Sequence, residues 1–166
     1  MTRREFFGMA SVGVVAVAIA GRVAMEGGGT TSSPATFRVS HTDAEWRAKL
    51  SPASYAVLRN AGTEQPFSSP LLNEHRVGRF ACAGCDLLLF DSNTKYDSHT
   101  GWPSFWQALP NAILKRPDFT LGRSRTEVLC TSCGGHLGHV FDDGPKPTGL
   151  RHCMNGVAMT FHPAAA

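Results

Sequence analysis

Thr126-Glu127-Val128-Leu129-Cys130-Thr131-Ser132-Cys133-Gly134-Gly135-His136-Leu137-Gly138-His139-Val140-Phe141 decides the fold class: two short β-like pieces, Thr126 to Cys130 and His139 to Phe141, flank a cysteine pair and glycines. Outward from this stretch the same texture recurs at Arg79 to Cys82, Leu87 to Phe90 and Val157 to Phe161, and no strong helical period returns after Phe80. Without long crossover helices between the strands, pairing is antiparallel and the domain mainly β. Helices are confined to its start. Thr42 and Glu45 have capping-box spacing ahead of Trp46 and Leu50, and Ser51-Pro52 opens a second run through Tyr55, Val57 and Leu58 that ends at Gly62. The doubled cysteine pair is the one internal repeat.

Five cysteines divide into Cys82-x-x-Cys85, Cys130-x-x-Cys133 and a single Cys153, with 44 residues between the pairs. Each C-x-x-C turn places two thiolates on one side of a knuckle, and two knuckles together make the tetrahedral sulfur cage that Zn²⁺ favours. Gly84 and Gly134 suit the sharp backbone turn beneath a metal. Two disulfides are the alternative in an oxidising compartment, and a redox-active pair a third reading.

Cys153 is left over, either a buried core residue or a reactive thiol. Arg151 and His152 precede it, Asn155 follows two residues on, and His136 and His139 lie in the glycine-rich run upstream. Cationic or proton-donating neighbours favour the thiolate, which is the nucleophilic form. The two histidines admit three roles: metal ligands, structural hydrogen-bonding groups, or groups that orient or protonate a substrate. His41, His75 and His162 stand outside any such cluster. Gly101-Trp102-Pro103-Ser104-Phe105-Trp106 forms a rigid aromatic turn, core or pocket wall.

The chain has 166 residues, 42% hydrophobic and 17% charged, which suits one globular domain rather than two or a disordered chain. Its net charge is +3, and without the first 26 residues, which hold Arg3, Arg4 and Arg22 against Glu5 and Glu26, it is +2. So weak a positive charge argues against a nucleic-acid partner. Arg3-Arg4 precedes a charge-free stretch from Phe6 to Ala20, about 15 residues against the roughly 20 needed to span a bilayer. Thr2-Arg3-Arg4-Glu5-Phe6-Phe7 is similar to a twin-arginine export signal, with an ordinary secretory signal or a retained membrane anchor as alternatives. Gly27-Gly28-Gly29-Thr30-Thr31-Ser32-Ser33-Pro34 reads as a flexible tether. The expected division is an export signal over 1–26, a linker over 27–40 and a domain over 41–166.

Four separated stretches resemble the B-type methionine sulfoxide reductases: Gly62 to Ser68, Gly101 to Phe105, Cys130 to Pro145 and Gly149 to Asn155. Together they span roughly Leu50 to Phe161, in the family's order and spacing. The resemblance implies a compact fold of two antiparallel sheets, with a structural zinc on Cys82, Cys85, Cys130 and Cys133 opposite the active face. Carried over by position, it makes Cys153 the nucleophile, His139 the acid facing the sulfoxide, His136 and Asn155 supporting polar groups, and Trp102 the wall for the S-methyl group. His99, Phe105 and Arg151 complete the expected substrate contacts. The chemistry requires such a set: a sulfoxide sulfur becomes electrophilic when its oxygen accepts a proton, so thiolate attack needs an acid on the oxygen side and an apolar seat for the methyl group.

The resemblance also implies the R epimer, a sulfenic acid on Cys153, and repair of oxidised proteins. Many members have a resolving cysteine just before the tryptophan turn, where this chain has Thr100. Recycling is therefore expected from an external thioredoxin-like or small thiol. His99 replaces a common glycine, at the pocket mouth or on a solvated turn. Gly156 replaces a usual serine and is expected to loosen the backbone beside the nucleophile. A periplasmic or otherwise exported monomer is expected, in contact with a membrane only through an uncleaved signal. Two competing readings stand beside this one: a zinc-stabilised module that binds oxidised methionine segments without turnover, and a thiol-disulfide oxidoreductase working through a C-x-x-C pair.

Overall fold

The computed structural model describes residues 37–120, 122 and 124–165. The expected export signal, and the tether as far as residue 36, lie outside the described residues, among which no helix is long and apolar enough to cross a membrane. The expected linker boundary at residue 40 is corrected. The Val39 N–H donates to the Ser132 carbonyl at 2.8 Å, Arg38 donates to Ser132 Oγ at 3.2 Å, and the Phe37 ring covers Gly134 so closely that a Cβ there would meet it at 2.2 Å. A bulky side chain and a backbone hydrogen bond thus attach residues 37–39 to the second cysteine knuckle.

Both expected helices form where their caps place them. In α1 (Asp43–Lys49) Thr42 Oγ1 accepts from the Glu45 N–H while the Glu45 carboxylate accepts from the Thr42 N–H, the reciprocal box read from the sequence. In α2 (Pro52–Asn60) Ser51 caps the Ser54 N–H and proline fills the first turn, where no donor is missed. Ala61, in the left-handed region at φ 53°, ends it ahead of Gly62. Trp46 from α1 and Tyr55, Val57 and Leu58 from α2 are buried, and α2 packs on the six-stranded sheet.

Among the described residues nine strands make two antiparallel sheets, the arrangement expected. β1 (Gly78–Cys82), β2 (Leu88–Asp91) and β9 (Met159–Pro163) form the smaller, in the order β2-β1-β9. β3 (Lys95–Tyr96), β4 (Ser104–Phe105), β5 (Ile113–Asp118), β6 (Arg125–Cys130), β7 (His136–Phe141) and β8 (Arg151–Met154) form the larger, in the order β3-β4-β8-β7-β6-β5. Phe80 and Phe90 of the small sheet meet Phe105 of the large one edge-on at 4.9 Å and stacked at 4.3 Å, all three with no accessible surface. Each such buried ring contributes about 2 kcal/mol, so the contact joins the sheets strongly.

Several elements depart from their expected bounds. The piece expected over Val157 to Phe161 begins as a 3-10 turn, Gly156–Ala158, before β9. β7 reaches back to His136, past Gly138, which interrupts the apolar pattern. β5 was not foreseen, because Lys115-Arg116-Pro117-Asp118 interrupts any apolar alternation, while β8 falls inside Gly149 to Asn155, which the resemblance and not apolar alternation marked as a strand. Pro117 is tolerated because β5 is an edge strand, where a missing N–H breaks no inner ladder.

Candidate active site and metal cage

Register across the large sheet aligns one row of side chains on one face. Tyr96 of β3 pairs with Ser104 of β4, Ser104 with Cys153 of β8, Cys153 with His139 of β7, His139 with Glu127 of β6, and Glu127 with Arg116 of β5. Directly paired residues in antiparallel strands share a face, with Cβ atoms about 5 Å apart. Cys153 and His139 are therefore immediate cross-strand neighbours. Arg151, two residues before Cys153, shares their face, while His152 and Met154 point into the core, 2% and 0% exposed.

His136 and His139 are three residues apart, a spacing that in a regular strand sends side chains to opposite faces. A β-bulge corrects this parity: Val128 pairs with Gly138 but Leu129 pairs with His136, leaving Leu137 as the extra residue. The two rings then meet edge-on with centroids 5.4 Å apart. Each is held by a carboxylate. His136 Nδ1 lies 2.7 Å from Glu127 Oε1, and His139 Nε2 lies 2.7 Å from Asp118 Oδ2. Glu127 is buried and paired with Arg116, and Asp118 also meets Arg125 at 2.5 Å. Hydrogen bonds from the Thr120 backbone and hydroxyl, then His139 and Arg125, hold Asp118 well below the usual carboxylate range. Burial pushes His136 down against the opposing pull of Glu127, so its ring is neutral near pH 7.

Cys153 is half-buried, and burial pushes its thiol up from the ordinary value. Thr100, Arg151 and Ser104 pull it back, and Thr100 Oγ1 lies 3.9 Å from its sulfur. Arg151 is itself fixed by two hydrogen bonds of 2.8 Å to Asp143 and lies over the Phe141 ring at 4.4 Å. The sulfur is thus shielded, with one cation and two hydroxyls directed at it that moderate the rise without removing it.

The tryptophan turn is fastened to this strand by a residue that the sequence reading passed over. Glu64 accepts the Trp102 indole N–H at its carbonyl (3.2 Å) and donates its own N–H to Asn155 Oδ1 (2.9 Å). Its carboxylate accepts the N–H groups of Gly156 and Val157. Asn155 is buried and donates from Nδ2 to the Leu137 carbonyl at 3.1 Å, so it faces backbone, joining the bulge of β7 to the end of β8. The signal for Glu64 was its place in the matched Gly62 to Ser68 stretch, without a partner that spacing could reveal.

Three expectations are corrected by this geometry. Phe105 is not at the site: it lies on the opposite face of β4 from Ser104, without accessible surface, stacked on Phe90. His99 stands in solvent with its side chain 87% exposed, its ring 3.2 Å from Asp97, on a backbone of φ 57° that a glycine would adopt more easily. Gly156 does not loosen the backbone; a Cβ there would meet Ser69 Oγ at 1.8 Å, so it marks close packing. Cys153, His139, His136, Arg151, Asn155 and Trp102 are brought together. Ser104, Thr100, Glu127 and Asp118 join them through pairings that only the fold creates.

The other four cysteines lie apart from Cys153. Their ligand atoms are all within 4.8 Å of one another, with Cys82 to Cys133 at 3.7 Å and Cys85 to Cys130 at 3.5 Å. No pair is bridged. A zinc tetrahedron with sulfur at about 2.3 Å has edges of about 3.8 Å, so the donor set fits such an ion. Cys82–Cys85 ends β1 in the small sheet and Cys130–Cys133 ends β6 in the large one, so the cage joins the two sheets.

Residues 50–163 match the SelR domain family. The chain is 53% identical over 123 residues to a peptide methionine sulfoxide reductase MsrB of Thiobacillus denitrificans, covering 74% of this chain and 93% of that protein. It is 50% identical over 127 residues to an MsrB of Agrobacterium fabrum, covering 76% and 94%. A mitochondrial methionine-R-sulfoxide reductase B2 of Danio rerio is also 50% identical over 127 residues, covering 72% of this chain and 71% of that protein.

Proposed function

The chain belongs to the SelR domain family, that of the B-type methionine sulfoxide reductases, and we propose that it reduces methionine-R-sulfoxide, mainly in proteins, with Cys153 as nucleophile. The observation that supports this most directly is the cross-strand pairing of Cys153 with His139, beside the turn that holds Trp102. The thiolate attacks the sulfoxide sulfur as His139 delivers a proton to the oxygen; the hydroxyl so formed passes from the substrate sulfur to the Cys153 sulfur as the transient S–S bond breaks, methionine leaves, and Cys153 becomes a sulfenic acid. Asp118 fixes Nε2 of His139 toward itself, leaving Nδ1 to exchange the proton. The indole of Trp102, anchored at its N–H by Glu64, offers its ring to the S-methyl group.

Thr100 occupies the space beside the sulfur and the remaining thiols are in the cage, so an external thiol completes the cycle. One thiol condenses with the sulfenic acid, releasing water, and a second resolves the mixed disulfide. Zinc, when bound, is the structural tie between the sheets, held by Cys82, Cys85, Cys130 and Cys133. Export by the twin-arginine route is consistent with this: a chain that crosses the membrane already folded can be loaded with metal in the reducing cytosol. Arg3→Lys with Arg4→Lys tests it, and retention of the precursor in the cytosol is the expected result.

The deciding experiment incubates the protein with separate R and S sulfoxides of N-acetylmethionine methylamide and dithiothreitol, and quantifies thioether. Turnover of the R epimer alone is expected. A folded, metal-loaded protein inert to both would favour a binding module that recognises oxidised segments without turnover.

A further inference from the structure

Two clefts open on the face that carries Cys153, one at each side of it. The first, about 520 Å³, is lined by Phe67, Leu72, Lys95, Tyr96, Asp97 and Trp102 among others. The second, about 380 Å³, is lined by Thr63, Arg116, Phe119, His136 and His139 among others. The pairing row fixes their relation: Tyr96 belongs to the first, His139, Glu127 and Arg116 to the second, and Cys153 lies between. Each cleft is bordered by one exposed phenylalanine, Phe67 at 72% and Phe119 at 68%, two of the four large apolar side chains that are exposed among the described residues.

A single methionine sulfoxide side chain, centred on Cys153 with its methyl on Trp102 and its oxygen toward His139, uses only the inner edge of each cleft. Their outer parts, with Phe67 and Phe119, need another occupant. From Tyr96 on β3 to His139 on β7 there are three strand spacings, about 14 Å, which an extended chain covers in about four residues. Resting on the reductase reading, we propose that an extended polypeptide segment lies across the strands with its sulfoxide residue over Cys153, and that Phe67 and Phe119 bind apolar side chains on its two flanks.

The test measures kcat/KM on the full-length protein for blocked methionine-R-sulfoxide and for three-, five- and seven-residue peptides centred on methionine-R-sulfoxide, with leucine or glycine flanks. With leucine flanks, kcat/KM is expected to rise about tenfold from the blocked residue to five residues and to level off by seven, with little gain for glycine flanks. In a Phe67→Ala, Phe119→Ala protein the ratio of seven-residue peptide to blocked residue falls toward one. That ratio cancels any loss of folded enzyme. Equal kcat/KM at all lengths, or an unchanged ratio in the double variant, overturns the flank sites while leaving the reductase reading in place. Absence of turnover with every substrate removes the reductase reading itself and the proposal with it.

Discussion

Cys153 lies under enough protein to raise its thiol, and Thr100, Arg151 and Ser104 oppose that rise without abolishing it. Alkylation of Cys153 by iodoacetamide should therefore accelerate with pH through and beyond the ordinary thiol range, and Thr100→Val, which removes one hydrogen bond to sulfur, should slow it at any given pH below that range. Equal rates would exclude Thr100 from thiolate stabilisation. Cys153→Ser should lower turnover by at least about 10³-fold with secondary structure unchanged, and His139→Gln by about 10²-fold or more, as expected for loss of a general acid. Burial depresses both His136 and His152, so the folded state binds protons more weakly than the unfolded chain. Their stabilisation is complete above the unfolded value near 6.5 and is lost as pH falls below it through the depressed folded values. Urea midpoints should drop between pH 7 and pH 5, with a shallower slope in His152→Phe. At this scale residue type only narrowed the choices, leaving Cys153 core or reactive, His139 three roles and Trp102 core or pocket wall, and the resemblance supplied the expected roles. Phe105 was misread since a side chain's face depends on register, and adjacency to Ser104 says nothing about which face is core.

At the scale of elements, the bulge at Leu137 and the close approach of β7 to β8 set the site's geometry. A Cβ at Gly138 would come within 2.2 Å of the Cys153 carbonyl and 3.0 Å of Met154 Cα, both backbone atoms with no side chain to give way. Gly138→Ala should destabilise the protein by about 2 kcal/mol, read as a lowered urea midpoint, and reduce kcat by displacing Cys153 from His139. A variant of undiminished stability would mean that β8 shifts freely. Glu64 acts through its neighbours: Glu64→Ala leaves the N–H groups of Gly156 and Val157 without their acceptor and frees the loop that carries Trp102. The expected result is a higher KM and quenched or shifted Trp102 fluorescence, with partial recovery in Glu64→Gln, which keeps one acceptor oxygen. Caps made the two helices readable in advance, since Thr42 and Ser51 signal their ends locally. The bulge was not, because two histidines three apart look the same in a strand, a turn or a helix until their partner strand is known.

For the whole molecule, the cysteine cage brings a hairpin end of the small sheet against one of the large, where a bound metal would tie the two together. Cys130→Ser, or prolonged chelation of the wild type, should broaden and lower thermal unfolding and strip the metal, because ligand binding contributes directly to folding free energy. Undisturbed, sharp unfolding after chelation would assign the sheets' union to Phe80, Phe90 and Phe105 alone. The mainly β class and the two knuckles were legible from turn residues and cysteine spacing. Sheet order was not, since non-local pairing leaves no mark in any short window. That order has a bearing on biosynthesis. β8, which bears Cys153, sits between β4 and β7 in the middle of the large sheet, yet it follows every other strand of that sheet in the chain. All four cage ligands leave the ribosome before it, so a growing chain can gather its metal while a slot one strand wide still separates β4 from β7. Until β8 is made the growing chain lacks Cys153, and the facing edges of β4 and β7 stay open to other strands.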